Sequence, residues 1–141
     1  ITATGGLKVR SDYTLKNYPS LDILIIPGGI GTRTLLDSKK FLNWLTLNSK
    51  INIIASVCTG SLLLAKAGLL SNKKATTHWG AMDLLKKLSP STDVIKKKYV
   101  FDTYYTSAGV SSGIDMSLNI VEKIFGKIVA KNTAKYIEYN Y

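Results

Sequence analysis

Cys58 is the residue whose type and setting point most directly to covalent chemistry. It is the only cysteine in 141 residues. An apolar, β-branched run (Ile51, Ile53, Ile54, Val57) stops at it, small and helix-forming residues follow from Thr59 to Ala67, and Gly68 closes the segment. That pattern predicts strand, abrupt turn, helix, with Cys58 on the turn. Such an elbow lifts a side chain above the sheet beside a helix N-terminus, whose dipole and free N–H groups favour a negatively charged sulfur. A lone cysteine also serves as a small buried hydrophobe, so the elbow alone leaves both roles open.

A thiolate attacking a polarised carbon builds negative charge on a neighbouring atom, and fixed N–H donors stabilise that charge. Thr59 N–H, just past the sulfur, is one natural donor, and Gly29 or Ile30 N–H is the other. Gly28 and Gly29 let the chain turn sharply and approach closely after the apolar run Leu21–Ile26. Neither G-x-G-x-x-G nor a Walker lysine pattern is present, so Gly29-Ile30-Gly31 is not read as a phosphate loop. The Thr59 hydroxyl either reaches substrate or favours the turn. His78, the only histidine, is either a base or hydrogen-bond partner for Cys58 or a packed loop residue. One Cys and one His do not make a closed zinc site without distant carboxylates, and no metal is expected.

The elements that position these residues follow from periodicity. Residues 1–20 carry the turn signals Thr4-Gly5-Gly6 and Asn17-Tyr18-Pro19 with short extended pieces between them. Leu21–Ile26 reads as a strand buried on both faces of a parallel sheet. Ser38–Leu47 is a helix capped by Asp37 or Ser38, with Phe41, Trp44 and Leu45 on one face. After the elbow come a short extended piece at Ala75–Thr77 and a helix over Gly80–Leu88 ended by Pro90. Val94-Ile95 is a strand, as is Tyr99–Ser107. Ser112-Gly113-Ile114-Asp115 reads as a capping box. It opens a helix with Ile114, Leu118, Val121 and Phe125 on one face and Gly126 as its stop. Lys127–Tyr139 is a terminal helix packed by Ile128, Val129 and Ile137. Asp22 flanks a strand.

This alternation predicts one α/β domain over residues 1–141 with a mainly parallel sheet. In such folds ligands gather at the C-terminal ends of strands. Three features fall there: Gly28-Gly29, Cys58-Thr59 and Ser107-Ala108-Gly109. Net charge is +10, with 19 basic against 9 acidic residues, and only Arg10 and Arg33 among the basic ones are not lysine. Lys96-Lys97-Lys98 reads as a solvated loop, and without an aromatic-interleaved basic groove nucleic acid is not the expected partner. No run of about 18 apolar residues is present to span a membrane. A single cysteine forbids an internal disulfide and fits a reducing, cytoplasmic setting. The first methionine is Met82, so the chain is expected to be processed or a fragment.

DILIIPGGIGT, ASVCTGSLLLAKAGLL, KATTHWGAMDLL and TSAGVSSGIDMSLNIVEKIFG, in that order, resemble the PfpI-type branch of the class I glutamine amidotransferase-like superfamily. Cys58-Thr59-Gly60 followed by Thr76-Thr77-His78-Trp79 is most similar to isonitrile hydratases, and also resembles the sensing domains of some AraC-type transcription regulators. The resemblance implies a flavodoxin-like three-layer sandwich, a homodimer, and neither cofactor nor metal. It implies Cys58 as nucleophile, Thr59 as adjacent donor, His78 near the thiol, and Gly28, Gly29, Ile30 and Gly109 on the oxyanion and substrate side. Isonitrile hydration to an N-substituted formamide is the implied reaction. The alternatives are ligand sensing in a regulator, or a stress-response oxidation sensor or glyoxalase-like protein. The region matching the glutaminase histidine is Ser107-Ala108-Gly109-Val110, without a His, so a glutaminase triad is not available. Family members begin with a further strand and helix whose acid contacts the thiol. Because that strand is central, its loss would expose apolar faces and strand edges as a gap in the sheet, and the chain is expected to lack an N-terminal piece or to have it replaced by another element.

Overall fold

The computed structural model describes residues 1–3 and 5–140; the predicted turn residue Thr4 lies outside them. Four strands form the main sheet: β1 (Ile23–Ile26), β2 (Ile53–Val57), β5 (Tyr99–Phe101) and β6 (Tyr105–Ser107), in the order β1-β2-β6-β5. β1, β2 and β6 are mutually parallel, and β5 returns antiparallel at the edge. β3 (Lys74–Ala75) and β4 (Asp93–Val94) pair in a separate small parallel sheet. The helices are α1 (Thr32–Leu35), α2 (Lys39–Leu47), α3 (Gly60–Lys66), α4 (Met82–Leu88), α5 (Ser112–Phe125) and α6 (Lys127–Tyr136). A 3-10 turn at Trp79–Ala81 leads into α4.

Two apolar cores, one on each face of the sheet, give three layers. On one face Ile26 and Ile54 meet Leu45 of α2, Leu62–Leu64 of α3 and Leu85 of α4. On the other, Ala55 and Tyr105 meet Met116 and Ile120 of α5. Every residue of α3 from Gly60 to Ala65 is buried, as expected of a helix apolar on nearly all sides. Ser38 caps α2 as anticipated, its side chain accepting the Phe41 N–H at 3.3 Å.

Several expectations need correction. The sheet runs without an internal gap, and β1 is its open edge. β1 is therefore not buried on both faces: Ile23 is 39% and Ile25 51% exposed, because α5 leaves a groove over this strand. Tyr99–Ser107 is not one strand but a hairpin. It turns at Asp102–Thr103, where Asp102 accepts the Lys74 N–H at 2.9 Å and ties the small sheet to the large one. The capping box at Ser112 does not form. The residue preceding α5 is Ser111 without a side-chain cap bond, and Asp115 turns to Lys98 at 3.3 Å. Of the apolar face expected for α5, Leu118 is buried, but Ile114 and Phe125 are exposed, and Met116 and Ile120 are the other buried apolar positions. Gly126 ends α5 as expected, at φ +89. In α6, Ala130 and Ala134 are the buried positions, and Ile128, Val129 and Ile137 are exposed. Two alanines four apart let α6 approach α5 closely, which bulkier residues would prevent.

Candidate active site

β2 ends at Val57, and Cys58 takes φ +57, a left-handed conformation rare outside glycine and strained for a residue with a Cβ. Its backbone is held on both sides. The Cys58 N–H donates to Ser107 O at 3.0 Å and Ala108 O at 3.2 Å, from the end of β6. The Cys58 carbonyl accepts Thr77 Oγ1–H at 2.9 Å and Ser61 Oγ–H at 3.1 Å. The sulfur is half-buried and makes no hydrogen bond among the described residues.

The loop after β1 closes tightly on this elbow. A Cβ on Gly28 would lie 2.7 Å from Cys58 Cβ and 2.9 Å from Thr59 N, so only glycine fits. A Cβ on Gly60 would collide with the Ile26 carbonyl oxygen. Thr59 Oγ1 accepts the Gly29 N–H at 3.0 Å. Thr32 Oγ1 donates to the Gly29 carbonyl at 2.8 Å and stands 3.2 Å from Thr59 Oγ1.

These contacts sort the expected site residues. Cys58, Thr59, Gly29, Ile30 and His78 line one open cleft of about 240 Å³. The Thr59 hydroxyl holds the loop and is not turned to a ligand. The Gly29 N–H is taken by that hydroxyl and is not an anion donor. Among the described residues the backbone N–H groups of Thr59, Ile30 and His78, all on the cleft wall, have no hydrogen-bond partner. Gly28 lies under the elbow, spacing it. Gly109 backs the His78 ring: a Cβ there would sit 2.8 Å from His78 Cδ2.

His78 Nδ1 accepts the Gly80 N–H at 3.2 Å, at the start of the Trp79–Ala81 turn. That bond assigns the neutral ring its proton on Nε2. The Nε2 side is therefore a donor, and the nitrogen that would act as base is occupied. Asp115, read as a cap, serves as the partner of Lys98 instead.

Sequence reasoning missed Arg33, which lines the same cleft as Cys58. It also missed Thr32 and the steric demand at Gly60. A signal for Arg33 was available: in a chain that uses lysine almost throughout, an arginine just past the glycine loop is a specific choice. No three His, Cys, Asp or Glu side chains gather as metal ligands among the described residues. Among the described residues no helix is long and apolar enough to cross a membrane.

Residues 1–123 match the sequence pattern of the DJ-1/PfpI family. The chain is 34% identical to isonitrile hydratase of Pseudomonas putida over 99% of its own length and 61% of that protein's. It is 29% identical to the HTH-type transcriptional regulator CdhR of Pseudomonas aeruginosa, over 92% of its own length and 39% of the regulator's. Among solved structures, a ThiJ/PfpI family protein from Pseudomonas syringae superposes on the whole chain with a TM-score of 0.92 and 31% identity, over 59% of that protein. The chain thus spans about three-fifths of the hydratase and of the solved relative.

Proposed function

The chain belongs to the DJ-1/PfpI family, and on that premise we propose that it is the core of a cysteine-dependent, isonitrile hydratase-like enzyme acting on small molecules. The observation that carries the reading is the strained Cys58 elbow, whose sulfur has no hydrogen-bond partner among the described residues and sits in a cleft with Thr59 and Ile30, whose N–H groups are likewise unpartnered there. In the proposed reaction the sulfur bonds to the terminal isonitrile carbon. The thiol proton is transferred to that carbon, giving an enzyme-bound thioformimidate, R–N=CH–S. Water then adds to the same carbon, the C–S bond breaks, and the N-substituted formamide leaves with the thiol restored. One isonitrile and one water are consumed, and no oxidant or reductant is needed. Thr59 N–H and Ile30 N–H face the charge that builds during water addition, and His78 Nε2–H offers a further donor.

The reading includes a carboxylate near the thiol, supplied by a segment preceding Ile1 in a longer protein. Two observations support that part. The cleft residues include no acid. The outer edge of β1 is unpaired, with Ile23 and Ile25 partly bare. An upstream coding sequence without an acid at the end of an apolar strand would remove it. The reading also includes a homodimer, which sedimentation of the full protein tests directly.

The deciding experiment is to add an isonitrile to the full-length protein and follow formamide by NMR. Formamide that disappears in Cys58→Ala supports the mechanism, and turnover surviving that substitution overturns it. A second reading, a ligand-sensing domain, is favoured by the 29% identity to CdhR. It requires ligand binding that persists in Cys58→Ala and a DNA-binding region elsewhere in the full protein.

A further inference from the structure

We propose that Arg33 makes the Cys58 cleft selective for small electrophiles that carry a carboxylate. Arg33 shares that cleft with the sulfur, Gly29, Ile30, Thr59 and His78. None of these is an acid, and Arg33 has no ion pair among the described residues. Arg33 is exposed at the wall of this cleft, and its guanidinium, a planar fork of five donors matched to a carboxylate, has no acidic side chain there to compensate its charge.

The backbone that carries it is fixed relative to the thiol. Arg33 follows the buried Thr32, whose hydroxyl donates to Gly29 O and lies against Thr59 Oγ1, one residue from Cys58. The Arg33 N–H donates to Ile30 O at 3.1 Å. The loop that forms one wall of the cleft is thus the loop that presents the cation. At about 240 Å³ the cleft suits a compact ligand, with one end at the sulfur and the other at the guanidinium.

The Lys96–Lys98 run does not compete for this role. It lines a different cavity, with Trp79 and Met82, and Lys98 is already paired with Asp115. For the hydratase, the inference narrows the substrate to isocyano acids over their esters, and in that respect it rests on the reading above.

The test uses the full protein and two alkylating probes of similar size, iodoacetate and iodoacetamide. Cys58 is the only cysteine in these residues, so peptide mass spectrometry reads its modification specifically. The iodoacetate-to-iodoacetamide rate ratio at Cys58 should fall about fivefold in Arg33→Met and stay closer to the parent in Arg33→Lys, as loss of a charge-assisted contact requires. Lys135→Met removes the same charge far along the chain and should leave the ratio unchanged. An unchanged ratio in Arg33→Met, or an equal fall in both Met variants, overturns the proposal. In parallel, isocyanoacetate should be hydrated faster than its ethyl ester, a preference lost in Arg33→Met. A ratio that falls while neither isonitrile is hydrated upholds Arg33 selectivity and sinks the hydratase reading alone.

Discussion

The two sides of β1 obey opposite rules. At its C-terminal end Ile26 is buried, and the loop beyond it is pressed against the elbow so closely that Gly28 and Gly60 have no room for a Cβ. On its face toward α5, Ile23 and Ile25 are open, under a groove lined by Ile120, Val121, Ile124 and Phe125 of that helix. The first region is held by backbone contacts and hydroxyl hydrogen bonds at fixed distances. The second is an apolar surface that nothing covers among the described residues. The contrast teaches that the reacting geometry does not depend on how the sheet ends. Contacts made by residues 26–32, 57–61, 77 and 107–108 define it.

The contrast can be broken most decisively at the sulfur. In the full-length protein Cys58→Ala should lower isonitrile turnover at least about a thousandfold while leaving the fold intact, as removal of a nucleophile does; steady-state kinetics and circular dichroism check both halves. Next comes the closed end. Gly28→Ala drives a Cβ into the Cys58 Cβ and backbone atoms, and overpacking of this kind costs about 1–3 kcal/mol. Urea denaturation should register that loss together with a fall in Cys58 alkylation rate. The open edge should respond far less. Ile25→Thr is expected to cost under about 1 kcal/mol, against about 2–4 for Ile26→Ala, because only Ile26 is buried. Equal costs would mean that the edge is covered in solution.

Relief of strain gives an effect of the opposite sign. Cys58→Gly should be more stable than Cys58→Ala by about 1 kcal/mol, since only glycine adopts φ +57 without penalty. The smallest effect lies at a polar tie outside both regions. The Lys74 N–H holds the Asp102 carboxyl below its usual range; desolvation opposes this, and Thr103 and Lys73 assist. A depressed folded-state value contributes stability above the unfolded aspartate range. That contribution is lost as pH falls through the folded value. The difference in melting temperature between the parent and Asp102→Asn should therefore be small near neutrality and vanish in acid.

The closed region was legible in the sequence because its signals are local. A β-branched run, a cysteine and then small residues specify an elbow within a few positions, and Ser38 announces its own helix start. The open region was not, because exposure of Ile23 and Ile25 depends on where β1 sits in the sheet, which periodicity does not encode. The same blindness explains α5 and α6. Pattern alone put Phe125 and Ile128 inward, whereas the helix pair closes on Ala130 and Ala134. Within the site, residue type left His78 either a base or hydrogen-bond partner of Cys58 or a packed loop residue, and only the Gly80 N–H bond assigned its nitrogens their roles. Tyr99–Ser107 read as one strand because its aromatic and β-branched residues outweighed the turn pair Asp102-Thr103.

Both polar groups of the Cys58 peptide are engaged, the N–H by Ser107 and Ala108 and the carbonyl by Ser61 and Thr77. With φ and ψ so constrained, the sulfur keeps a single torsion, χ1, and travels on one circle about the Cα–Cβ axis with three staggered stops. Ordering a residue's backbone costs about 1–2 kcal/mol, and here that ordering is complete before any substrate arrives. What an incoming electrophile must still select is one rotamer out of three.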